Sequence, residues 1–78
     1  MYAMQHDDKK EVQYLAILCC ILSSIIDARI AGLPSYTHTL KGAERYHLGR
    51  LLHTIRKQYV ANVTMMPYAT NIEVSWSN

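Results

Sequence analysis

The run from Val12 to Ile26 constrains this chain more than any other stretch. It is fifteen residues without a charge, twelve of them apolar, in a chain of 78. Lys9, Lys10 and Glu11 close it on one side, and Asp27 and Arg29 on the other. A helix that crosses a bilayer needs about 20 predominantly apolar residues. The run falls short of that, and Gln13, Ser23 and Ser24 lower its hydrophobicity further. A secretory signal is disfavoured as well. Asp7 and Asp8 stand in what would be its basic segment, and no small-x-small cleavage site follows the run. The run therefore reads as the central buried helix of a cytoplasmic protein, with no membrane partner.

At about 100° per residue, Lys9, Gln13, Ala16, Cys20, Ser24, Asp27 and Ala31 fall on one narrow polar or small face. The rest of the cylinder is apolar, an arc of roughly 220°, where an ordinary surface helix shows a stripe only somewhat over 100° wide. So wide an arc demands cover from more than one direction. A chain of this size buries only about 60% of its unfolded surface. Small domains make up the deficit with disulfides, metals or oligomerisation. Cys19 and Cys20 are adjacent, so they cannot bridge each other without strain. They read as small buried apolar residues in a reducing compartment. Oligomerisation is the route left, and the expectation is a homodimer packed through the first helix, with Leu15, Leu18, Leu22, Ile25 and Ile26 at the interface.

The first helix is expected over about 8–31. Asp7 or Asp8 would cap its start, and Gly32 followed by Pro34 would stop it. Residues 32–39 read as a connection. A second helix is expected over about 40–61, because Leu48, Leu51, Leu52, Ile55 and Tyr59 repeat at helical spacing. Gly42 and Gly49 within it suggest close approach of another backbone. In the tail, Ile72, Val74 and Trp76 alternate with polar residues, which predicts a strand, and Val63–Met66 is its expected hairpin partner. The predicted fold is mainly α: one domain, 1–78, built as a two-helix antiparallel hairpin with a short β element at about 63–76.

No catalytic or metal-binding pattern stands out. His6, His38, His47 and His53 are scattered rather than set at zinc-ligand spacing. Ser23, Ser24 and Cys20 lie near Asp27, but Ala16, Cys20 and Ser24 at four-residue intervals are the mark of close packing. The chain is expected to be neither an enzyme nor a holder of metal or cofactor. Tyr and Arg are enriched in protein interfaces. The expected partner-binding surface is the ridge Tyr46, Arg50, His53 and Lys57, joined by Tyr36 and His38 from the connection. Small nucleic-acid-binding regulation is the alternative. Residues 40–78 carry five Lys/Arg against two Asp/Glu, and Arg45, Arg50, Arg56 and Lys57 would meet phosphates. Against it, the pI is only about 8.6, and a connection of eight residues is too long for a helix-turn-helix. In size and lack of motif the chain is similar to the short accessory proteins of bacteriophages and mobile elements, which bind and inhibit or redirect a host protein.

Overall fold

A computed structural model describes residues 5–76, and the side chains of 9–76. The proposed caps Asp7 and Asp8, like His6, thus have side chains outside the described residues, although the helix runs back to Gln5.

The elements are α1 (Gln5–Ile30), β1 (Ser35–Lys41), a 3₁₀ segment (Gly42–His47), α2 (Leu48–Ile55), β2 (Val60–Met65) and β3 (Ala69–Ser75). The strands form one antiparallel sheet in the order β1-β3-β2. This overturns the two-helix hairpin. The stretch read as connection contains a strand, the second helix is eight residues long, and the sheet has three strands rather than one late hairpin.

Each departure has a local cause. Tyr36, His38 and Leu40 alternate with Thr37, Thr39 and Lys41, a period of two made of aromatic and β-branched residues that suits a strand. The threonines that looked like helix caps face the polar side of that strand. Gly42 adopts φ +56°, a left-handed conformation that interrupts the chain between β1 and α2. That conformation accounts for the glycine. No backbone approaches it, and nothing lies within 4 Å of a side chain built at Gly42 or Gly49. At the end of α1 Gly32 has φ +81°. Its amide donates to the Arg29 carbonyl at 3.0 Å, and the Leu33 amide donates to the Ala28 carbonyl at 2.9 Å. This pair of bonds satisfies carbonyls left open at a helix end.

The molecule has two layers. Tyr36, His38 and Leu40 of β1, Thr70, Ile72 and Val74 of β3, and Ala61 and Val63 of β2 lie in register on one sheet face. The helices cover that face, α1 against β1 and the 3₁₀ segment, α2 against β2. Tyr14, Ile17, Ile21 and Ile25 of α1 join Leu40, Leu51, Ile55, Ala61, Ile72 and Val74 in one core. The opposite sheet face is polar, with Thr37, Thr39, Asn62, Thr64 and Glu73 in water.

Candidate functional site

The surface that stands out is the far side of α1. The residues that face the sheet, Tyr14, Ile17, Ile21, Ile25 and Ala28, are spaced three and four apart. A second apolar row, Val12, Leu15, Cys19, Ile26 and Ile30, with half-buried Leu22 at its edge, follows the same spacing on the side away from the sheet, and Leu33 extends it past the cap. Val12, Leu15, Ile26, Ile30 and Leu33 are each between 50% and 81% exposed. Monomers rarely leave a contiguous apolar strip uncovered, and where they do it marks an interaction site.

This arrangement corrects the expected interface. Ile25 is fully buried against the chain's own sheet, and Leu18 and Leu22 pack partly on the same core. Only Leu15 and Ile26 of the five expected residues stand in the open. Cys19 and Cys20 are exposed free thiols, not buried filler. The wide arc resolves into two rows, one of them covered by the chain's own sheet.

The predicted ridge on α2 also divides. Arg50 forms a two-bond ion pair with Glu11 on α1, at 2.7 and 2.9 Å. Its guanidinium also lies 3.8 Å from the centre of the Tyr14 ring. The Arg50 bond holds the Glu11 carboxyl below the ordinary carboxylate range, and the same bond pushes the Arg50 guanidinium up. Behind them the Tyr14 and Thr54 hydroxyls are hydrogen-bonded at 2.7 Å. Buried His47 donates from Nε2 to Gln13 Oε1 at 2.9 Å, and its ring meets the edge of Tyr46. Lys10 of α1 sits over the Tyr46 ring, 4.7 Å from its centre. Arg50 is thus a clamp between α1 and α2 rather than an open contact residue. Tyr46, His53 and Lys57 remain exposed.

Tyr36 and His38 do not join them. They lie on the inner face of β1, half-buried, with the Tyr36 hydroxyl hydrogen-bonded to His38 Nδ1 at 2.9 Å. Burial lowers the His38 pKa, with the Glu44 charge opposing it. The expectation that Tyr36 is an exposed loop residue is therefore corrected.

The four candidate phosphate contacts scatter as well. Arg45 is exposed on the 3₁₀ segment, and Arg50 is held by Glu11. Arg56 and Lys57 turn toward the end of α1 and share a cleft with Arg29, Tyr59 and Trp76. Arg29 was missed because it lies 27 residues upstream of Arg56, and only the packing of α1 beside α2 joins them.

Among the described residues no three His, Cys, Asp or Glu side chains gather as metal ligands, and every buried polar side-chain atom has a hydrogen-bond partner. The segment Lys9–Ile30 is, by length and composition alone, apolar enough to cross a membrane; its mean hydropathy is 1.6. Comparison with protein-family models, with curated proteins and with solved structures finds no match for this chain.

Proposed function

We propose that this protein is a non-catalytic protein-binding module whose partner is a second copy of itself, docked antiparallel along the exposed row of α1. The observation that carries the reading is that row, apolar from Val12 to Ile30 and, half-buried Leu22 apart, bare in the single chain.

The sizes are compatible. Five residues between 50% and 81% exposed leave about three whole aliphatic side chains in water. Full burial of one contributes roughly 1.5–3 kcal/mol. A symmetric pair therefore gains roughly 9–18 kcal/mol, against an association cost of about 4–15 kcal/mol. Dissociation constants in the micromolar range correspond to about −8 kcal/mol, which lies inside that difference.

Charge favours the antiparallel arrangement. Lys9 and Asp27 are eighteen residues apart, five whole turns at about 3.6 residues each. They lie on one flank of the row, one at each end, and both are exposed. Antiparallel packing sets each Lys9 toward Asp27 of the partner subunit. Parallel packing puts the two Lys9 at one end and the two Asp27 at the other, on opposite flanks, and forms no such pair.

Sedimentation equilibrium at tens of micromolar tests the reading. The expected species is twice 9.0 kDa. Leu15→Asp combined with Ile26→Asp should give a folded monomer, because neither side chain belongs to the core. Lys9→Glu should weaken the dimer, and Lys9→Glu with Asp27→Lys should restore it. A wild-type monomer would overturn the proposal. So would a dimer indifferent to the double aspartate variant, or wild-type protein that floats with lipid vesicles.

A further inference from the structure

The cleft at the end of α1 carries a reading separate from that dimer. Three cations converge there from three places in the chain: Arg29 in the last turn of α1, Arg56 at the end of α2, and Lys57 in the turn that follows. The cleft holds about 420 Å³, and among the described residues no carboxylate lines it. Among the described residues none of the three is within ion-pair distance of an acid, since the single ion pair is Glu11–Arg50. A cation in the last turn of a helix suits the helix dipole, which is sufficient reason for Arg29 alone. It does not explain why two further cations gather against it.

The cleft is also partly preorganised. Arg56 donates from Nε and Nη2 to the Ala61 carbonyl, at 3.2 and 2.9 Å. This fixes the plane of the guanidinium and leaves its Nη1 edge without a protein partner among the described residues. A fixed planar guanidinium is suited to phosphate oxygens. The wall beside it is aromatic: Tyr59 and Trp76 meet edge to face, with ring centres 6.2 Å apart, and both are half-buried. Cations that track a backbone beside rings on which a base can stack are the two elements of single-strand recognition. A duplex offers the phosphates but no unpaired base.

We propose that this cleft binds single-stranded nucleic acid, with Arg29, Arg56 and Lys57 on consecutive phosphates and the Tyr59–Trp76 wall against a base. Trp76 is the sole tryptophan of the chain, so its fluorescence reports on the cleft directly.

The test is a fluorescence titration of the full chain with a thymidine oligonucleotide of about twelve residues, repeated from low to moderate salt. Saturable quenching is expected. With three phosphates engaged at about 0.7 counterions each, log K should fall against log salt with a slope near −2, roughly twenty-fold between 50 and 200 mM. Arg29→Gln and Lys57→Gln should each weaken binding several-fold and reduce the slope by about 0.7. Both side chains are exposed and remote from the core, so the fold survives the change; far-UV circular dichroism verifies it. Arg45→Gln, outside the cleft, should change nothing. Absence of quenching would overturn the proposal. So would binding insensitive to salt, a duplex bound as tightly as the single strand, or Arg29→Gln indistinguishable from wild type.

Discussion

Ile25 and Ile26 are neighbours of one residue type near the C-terminal end of one helix, and the structure gives them opposite fates. Ile25 is 0% exposed in the core, and Ile26 is 54% exposed on the bare row. Replacing each by alanine changes helix propensity by the same few tenths of a kcal/mol, so that contribution cancels between them. What remains is burial. Truncating a fully buried isoleucine removes its transfer free energy and leaves a cavity, about 2–5 kcal/mol. The whole fold is stable by only about 4–12 kcal/mol at this length. Ile25→Ala should therefore remove a large part of it, lowering Tm by roughly 8–40 °C at about 4–8 °C per kcal/mol. Ile26→Ala should leave the stability of the single chain within about 1 kcal/mol and act instead on association. The assay is urea unfolding at low micromolar protein, to limit the contribution of mass action, alongside sedimentation of both variants at tens of micromolar. Equal losses at the two positions, or a larger loss at Ile26, would refute the assignment of the two faces of α1.

Three further predictions concern the joints of the fold. Gly32→Ala should cost about 1–2 kcal/mol in thermal or urea unfolding, since Gly32 holds φ +81° at the end of α1, whereas Gly49→Ala, in α2 with open space around it, should stabilise by up to about 1 kcal/mol. Tyr14→Phe removes the hydroxyl that bonds to Thr54 and should cost about 1 kcal/mol by the same measurement. Two pH dependences should separate in urea unfolding from pH 8 to 3. The folded His38 pKa lies below its ordinary value, so its contribution is complete above the unfolded pKa of about 6.5 and declines as pH falls below it; His38→Gln should flatten that part of the curve. The folded Glu11 pKa is also depressed, chiefly by Arg50, so its contribution is present above the unfolded carboxylate pKa and lost as pH falls through the folded one. Glu11→Gln should flatten only the acidic part, and a Glu11→Gln curve that matches wild type below pH 5 would contradict the clamp.

Several local features of this protein can be read from residue order alone. The helix around Val12–Ile26, its end at Gly32, and the alternation of Ile72 and Val74 depend on spacing and on backbone preferences of single residues, which act over a turn or a strand. The excess of apolar surface on α1 is legible in the same way, because the angle between residues on a helix is fixed by its geometry. Which part of that surface remains exposed is not. β1 was hidden because Pro34 and the threonines carry turn and cap signals as strong as their strand signal, and only pairing with β3 decides between them. Arg50 looked like an open contact until Glu11, 39 residues away, came beside it. Arg29, Arg56 and Trp76 have no common pattern along the chain. Periodicity determines which faces a helix possesses; packing between distant segments determines which face is consumed by the core, which charges are spent on each other, and which are left facing a partner.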